Sequence, residues 1–559
     1  MNRIFAVFVI AALCSCASKT EPVKVPLNLK EKALEEYSKS FRTDVAWNVN
    51  AKKFTYAPYL DFSSTKLSAD EQKRTKAYRF TVYMDRNKGK IYVPMKEFTS
   101  TFVKPGLDPS ADCLKWSFTC DQPKASLSPI WNDILHAYVW LVVEAVDSEG
   151  KTVKEMGRRA FLHDKPFQDK PSSPARPYAE SAVMAQKYIN TINGVTSWRS
   201  SSVPNLNYEH NSYANKIIGE TVAMEVLYAR HVPAAAEDAM TIARNASEFL
   251  VSQSRPAGSA LAYFTPTYYG DKLKAGDAKN KDATMTMDAC YVAQAFLDMY
   301  DYTGERKYLD HVLGMADTYA RIQMSDGSYY SKIKFSDGTP LTEAKAMLHP
   351  LLNFLQRLEK QYGITKYAQT RTKAENWMDT DAMTSFDLRG QFEDVSVENI
   401  APYSNLTNCT AAPYASYLLR KDNCSEKDIE NARDLIRLSE DQFVYWDALP
   451  KVDGKKAINT PCVFEQYSYP TPVDNSACNV ANAYLDLFER TGDELALAKA
   501  KALIDNITIM QNASTGQIPT TWDVRSSESG RTFWINCSQA DIKILFRMEE
   551  LLAGMPGNI

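Results

Sequence analysis

Two stretches of this chain, 188 positions apart, carry the same pattern. Ala289-Cys290-Tyr291-Val292-Ala293-Gln294-Ala295-Phe296-Leu297-Asp298-Met299-Tyr300, followed by Thr303-Gly304-Glu305, matches Ala477-Cys478-Asn479-Val480-Ala481-Asn482-Ala483-Tyr484-Leu485-Asp486-Leu487-Phe488, followed by Thr491-Gly492-Asp493. The offset still holds at Gln323 and Gln511. An internal repeat constrains architecture more than any local propensity, because each unit must bury its apolar face against its neighbours. Here the unit is a helix, a Thr-Gly turn and a second helix. The first helix is small or apolar nearly all round, so it is expected to be buried. The second keeps a charged stripe (Arg306, Lys307, Asp310, Asp317) and is expected to face water on one side.

Counting by this template predicts helices over 177–192, 212–231, 234–253, 284–303, 305–323, 341–361, 364–379, 404–421, 425–443, 474–491, 493–511 and 533–553. Twelve helices make five consecutive hairpins, with the last helix closing on the first. The expected fold is therefore mainly α, an (α/α)6 toroid over 177–559. Short turns (Val232-Pro233, Thr303-Gly304, Tyr362-Gly363, Thr491-Gly492) alternate with long segments at 193–211, 254–283, 324–340, 380–403, 444–473 and 512–532. In antiparallel helices the long segments must all emerge on one face, and long loops on a rigid scaffold are where sites are built.

Before the toroid the period is two. Tyr78–Tyr83, Lys90–Val93 and Tyr138–Ala145 read as strands, and Val143–Val153 with its Asp147-Ser148-Glu149-Gly150 turn reads as a hairpin. Residues 40–163 are expected to form a small β-sandwich of fibronectin type III or immunoglobulin style, joined to the toroid by a stiff Pro-rich linker at 164–176.

The chain opens with Met1-Asn2-Arg3 and an apolar run from Ile4 to Leu13, too short to span a bilayer. The run ends Leu13-Cys14-Ser15-Cys16-Ala17, which resembles a bacterial lipoprotein box. That resemblance implies a signal peptide over 1–15, lipidation at Cys16, a tether over 16–39 and a cell-envelope address in the outer membrane, periplasmic or surface-exposed. Export also makes a local disulfide between Cys113 and Cys120 conceivable. No CxxC or CxxxH cluster supports a zinc site, and no cofactor is expected. Lys+Arg 65 against Asp+Glu 68 gives a net charge of −3, which argues against a nucleic-acid partner. The expected state is a monomer that touches the membrane through its lipid alone.

From the hairpin repeat, including Thr303-Gly304-Glu305 and Thr491-Gly492-Asp493, residues 177–555 resemble the six-hairpin glycosidase superfamily. Such toroids house glycoside hydrolases, polysaccharide lyases, sugar epimerases and some terpenoid enzymes, so chemistry must come from the site. The long segments and inner-helix starts are rich in aromatics, among them Trp198, Tyr208, Tyr213, Tyr268, Tyr269, Tyr467, Tyr469, Trp522 and Trp534. Aromatic faces pack on sugar rings while their polar edges reach hydroxyls, so a poly- or oligosaccharide is the expected substrate.

Hydrolysis needs two carboxyls. Phe392-Glu393-Asp394-Val395-Ser396-Val397-Glu398 and Phe464-Glu465-Gln466-Tyr467 are the two acid clusters, making Glu465, Glu393 and Asp394 the candidates. Inversion is what the toroid resemblance favours. Other loop acids are Glu209, Asp282 and Asp474, the last readable as a helix cap. Elimination needs a base and groups that neutralise a uronate, and Arg199, Asn211, His210 and Tyr213 supply those types within one loop. A polysaccharide lyase, with His210 catalytic, is therefore the alternative, and a non-catalytic glycan-binding lipoprotein is a third. Cys290, Cys409, Cys478 and Cys537 fall at inner-helix starts, where small residues let helices converge.

Overall fold

The computed structural model describes residues 41–48, 53–61, 65–85, 113–126, 137–163, 167, 172–270, 280–383, 407–446, 459–465, 472–522 and 533–554. Among the described residues seven strands, with one short helix (Ala69–Arg74) between the second and third, precede the helical ring: β1 (Phe41–Asn48), β2 (Lys53–Asp61), β3 (Ala77–Asp85), β4 (Cys113–Cys120), β5 (Lys124–Ser126), β6 (Ala137–Val146) and β7 (Thr152–His163). They pair antiparallel in two sheets, ordered β1-β2-β5 and β4-β3-β6-β7. The period-two pattern has its physical cause in the β3–β6 register. Phe80 opposes Val143 and both are fully buried, while their neighbours Arg79 and Glu144 oppose each other and form a 2.7 Å ion pair. The expected turn closes β6 onto β7: the Asp147 carboxylate accepts the Glu149 and Lys151 amides at 2.9 Å, and Gly150 takes a φ of 75°. Cys113 and Cys120 sit at opposite ends of β4, roughly 23 Å apart at strand rise, so the local disulfide between them is ruled out. The expected strand at Lys90–Val93 lies outside the described residues.

Among the described residues twelve helices of ten residues or more follow: α1 (Tyr178–Ile189), α2 (Gly219–His231), α3 (Ala236–Gln253), α4 (Ala289–Thr303), α5 (Arg306–Ile322), α6 (His349–Tyr362), α7 (Ala368–Trp377), α8 (Asn408–Arg420), α9 (Glu426–Phe443), α10 (Asp474–Thr491), α11 (Glu494–Met510) and α12 (Ile535–Ala553). The even-numbered helices contact one another in sequence, and α12 returns to α2, closing an inner ring. Each odd-numbered helix backs one inner helix, α1 backing α12. This is the (α/α)6 toroid, the architecture implied by the six-hairpin resemblance. The linker is part of that closure. Ser172 donates to Asp505 at 2.6 Å, the Ala175 amide to Thr508 at 2.8 Å, and Arg176 to the Thr508 carbonyl, fixing the chain's entry onto α11.

The Thr-Gly-acid motif explains the tight end of each repeated hairpin. Thr303 and Thr491 donate back to the carbonyls four residues earlier, and Gly304 and Gly492 take φ of 70° and 74°, which only glycine adopts cheaply. Asp493 then caps α11 by accepting the Leu495 and Ala496 amides.

Three helix starts lie five or more residues from expectation. Helix α2 begins at Gly219 rather than 212, the intervening residues forming a 3-10 turn and a π-turn. The region expected to open α4 at 284 is instead strand β8 (Ala283–Met285), paired with β9 (Lys332–Lys334), which zips two long loops together. Helix α6 starts at His349 rather than 341, because Pro350 fits only the first turn. Ala346, Met347 and Leu348 are buried as loop instead.

Candidate functional site

Inner helices enter from the long loops and end in short turns, so their N-terminal ends, with their partial positive charge, face the mouth. Four neighbouring ends, those of α8, α10, α12 and α2, hold the densest chemistry.

Glu465 follows the short strand β11 (Cys462–Val463), which pairs with β10 (Val444–Tyr445). Its carbonyl accepts from Thr407 at 2.8 Å and from Asn408 at 3.3 Å, which locks this loop to the start of α8. Its side chain is half-buried. The Glu465 carboxylate and the Lys216 ammonium act with opposite sign on the same two thiols, Cys409 and Cys537, so the two charges share one locality. Burial is the larger influence and pushes Cys409 up to about 11. Lys216 sits in a π-turn (Ala214–Ile218) just ahead of α2, its ammonium 5.8 Å from the Trp534 ring. Trp534 in turn lies 4.9 Å from the buried His210 ring, and His210 lies 5.2 Å from Tyr208.

Directly beneath is a buried acid pair. Asp474 and Asp541 are both fully buried. One oxygen of each is satisfied: Asp474 Oδ1 accepts the Asn475 amide at 2.7 Å, and Asp541 Oδ1 accepts the Cys478 thiol at 3.2 Å. Both Oδ2 atoms lack a hydrogen-bond partner. Burial raises both carboxyls above the usual carboxylate range, Asp541 to about 7, and the nearby Asp541 charge raises Asp474 further. Asp474 is thus the first helical residue and half of a buried acid pair, rather than a solvated cap.

The remaining expected residues divide by what holds them. Trp198 is fully buried against Phe249, its carbonyl taking the Asn245 amide. Arg199 forks onto Asp238 with two 2.7 Å bonds, and Asn211 donates to the Gly194 and Asn205 carbonyls. These three staple their loop to the scaffold. Trp522 is buried and donates to Pro519. Tyr208 ties the α12 entrance, donating to the Phe533 carbonyl and accepting the Ile535 amide. Tyr213 and Tyr268 are buried in a small cluster with Ile217 and Ala283, and Tyr269 packs edge-on against Phe249. Asp282 holds a left-handed loop residue position (φ 60°) by accepting twice from Ser336. Glu393, Asp394, Tyr467, Tyr469 and Cys16 lie outside the described residues.

Sequence reasoning passed over Lys216 and Asp541, and it read His349, in an apolar helix before Pro350, as a hydrogen-bonded core histidine. For His349 a signal existed, since Pro350 marks it as the first residue of an inner helix and hence a mouth residue. Its Nδ1 is buried without a partner, and burial lowers its pKa to about 4, leaving a neutral imidazole at pH 7. Asp541 and Lys216 carried no comparable mark. Among the described residues no cluster of His, Cys, Asp and Glu could hold a metal, and no helix is long and apolar enough to cross a membrane.

No family model and no curated protein matches the chain. Among solved structures it is similar to a family 76 glycoside hydrolase from a bovine Bacteroides thetaiotaomicron strain, at 9% identity over 92% of this chain and 99% of that one, TM-score 0.46. It is also similar to cellobiose 2-epimerase from Spirochaeta thermophila, at 12% identity over 67% of this chain and 99% of that one, TM-score 0.44. Similarity at this level says nothing about chemistry; that has to come from the residues.

Proposed function

We propose that this chain is a monomeric, cofactor-free enzyme that cleaves glycosidic bonds in a poly- or oligosaccharide at the long-loop mouth, as an inverting glycoside hydrolase. Glu465 is the proton donor to the leaving oxygen, and Glu393 or Asp394 activates the attacking water. Cys16 carries a lipid that anchors the enzyme in the cell envelope at the outer membrane, and the N-terminal strands form a fibronectin-like β-sandwich ahead of the catalytic ring. The observation that carries the reading is the convergence at the mouth of one half-buried carboxyl, Glu465, with Lys216 and the Trp534 face. A sugar ring lying on Trp534 would present its glycosidic oxygen to the Glu465 carboxyl, the position a proton donor to the leaving group must take.

Hydrolysis is favoured over elimination by what the 198–213 loop does with its side chains. Arg199 is spent on Asp238, Asn211 on backbone carbonyls, and His210 and Tyr213 are buried among aromatics. A lyase would need those groups turned toward a uronate carboxylate. Inversion requires room for a water between the two carboxyls, a separation of about 6.5–9.5 Å. Proton NMR of the first product formed tests it: the anomer opposite to the substrate's is expected, and the same anomer would replace the water-activating role with a nucleophilic one.

A further inference from the structure

The short-turn face, too thin in loops to build a pocket, holds one between the inner helices themselves. A cavity of about 600 Å³ runs down the ring axis, within the range of small-ligand sites. Its lining starts one turn inside α4, α6, α8 and α10, at Gln294, Asn353, Pro413 and Asn479. It ends at Lys360, Gln361 and Arg420, in the last turns of α6 and α8. It therefore opens at the end opposite the mouth cluster of Glu465, Lys216 and Trp534.

The lining is polar and incompletely satisfied. Ser416 is 7% exposed and its Oγ has no partner, and Gln356, 8% exposed, makes no hydrogen bond with any described residue. Asn479 likewise makes none. Arg420 commits only Nε, to Asp486 at 2.8 Å, leaving both terminal nitrogens of a half-exposed guanidinium available. Buried polar groups are nearly always satisfied, so the unpaired Ser416 Oγ on α8, flanked by the buried Gln356 on α6 and the half-buried Asn479 on α10, marks a place where a ligand or its hydroxyls complete the network. Each of the four lining cations has an acidic partner, Arg357 with Asp298 and Asp301, Lys360 with Asp422, Arg420 with Asp486 and Lys543 with Glu220, and of these Arg420 is the one engaged through Nε alone.

We propose that this axial cavity is a second ligand site, separate from the mouth, that takes a small sugar carrying an oxyanion. The sugar's hydroxyls meet Ser416, Gln356 and Asn479, and its carboxylate or phosphate meets the free fork of Arg420, a geometry suited to either group.

The test is calorimetric titration of the full chain with D-glucuronate, D-glucose 6-phosphate and D-glucose. One of the two anionic sugars should bind at least about tenfold tighter than glucose, because hydrogen bonds to charged groups are the strong ones; which one binds tells carboxylate from phosphate. Asn479→Leu fills the cavity without removing any protein contact, so it should fold normally and weaken that binding by tenfold or more. Arg420→Gln should abolish the preference over glucose. Glu465→Gln should leave the binding unchanged. Equal affinity for glucose, binding that survives Asn479→Leu, binding lost in Glu465→Gln, or no binding by any of the three sugars would each overturn the assignment.

Discussion

The two copies of the repeated hairpin agree at one end and part at the other. At the short-turn end they are chemically the same. Arg357, on the inner helix after α4, donates to Gln294, Asp298 and Asp301, with bonds of 2.9, 2.7 and 2.8 Å. Arg547, on the inner helix after α10, donates to Asn482 at 2.7 Å, Asp486 at 2.6 Å and Glu489, the residues 188 positions on. Each clamp ties neighbouring inner helices at a fixed spacing. At the mouth end the copies diverge. Cys290 donates to the Tyr319 hydroxyl and Thr286 to a backbone carbonyl, all neutral partners. The equivalent of Thr286 is Asp474, and Cys478 points at Asp541, so the second copy buries an acid pair where the first has a hydroxyl. The shared end is what the ring needs to close; the divergent end is free to acquire chemistry.

The largest expected effect is at the mouth. Glu465→Gln keeps shape but removes proton donation, and activity should fall about 10²–10⁴-fold while the melting temperature stays put. Unaltered turnover would move the proton-donating role to Glu393 or Asp394.

Next comes the shared end. Arg357→Met takes the guanidinium from the partly buried Asp298, while the exposed Asp301 keeps its bonds from Tyr362 and Gln361, so a loss of about 3 kcal/mol is expected. Arg547→Met should cost a similar amount in denaturant titrations. A large effect in one copy and none in the other would show that the clamps are not equivalent. His210→Ala should be milder, about 1–3 kcal/mol seen as a weaker Michaelis constant with turnover surviving, because the ring supports Trp534 rather than reacting. Loss of turnover with an unchanged Michaelis constant would instead make it a participant.

The smallest effect is a slope. The Asp474–Asp541 pair holds a proton in the folded state that the unfolded chain has released above about pH 4. Its folded-state pKa is raised, so its stabilising contribution is complete at low pH and declines as pH climbs toward about 7. Glu225, buried beside Gln186 and Asn190 and raised by burial to about 8, adds the same sign. Asp474→Thr, which gives the second copy the first copy's residue, should flatten stability between pH 4 and 7 by up to about 1.4 kcal/mol per pH unit. An unchanged pH profile would mean that Asp474 carries no proton in the folded state over this range.

Much of the ring was legible because its signals are local and repeated. Helix periodicity, the Thr-Gly turns and left-handed Gly304, Gly363 and Gly492 mark ends without reference to the rest of the chain. The errors fall where tertiary pairing overrode apolar pattern, as at β8 and at residues 341–348. The site was less legible. Glu465 stood out from its aromatic flanks, but Asp541 lies one turn inside a helix that looks like core, and only the neighbouring α10 makes it half of a pair. Arg199 and Trp198 read as binding groups by type, yet Asp238 and Phe249, far along the sequence, decide that they are staples. Residue type proposes a role, and the partner across the fold settles it.

The central claim, hydrolytic cleavage of a glycan at the mouth, is tested most directly by incubating the protein with a panel of polysaccharides while following reducing ends and absorbance near 235 nm together. The account predicts new reducing ends on at least one glycan with no rise at 235 nm. A 235 nm chromophore forming on a uronate polymer would contradict it, since that signal arises from elimination and not from water.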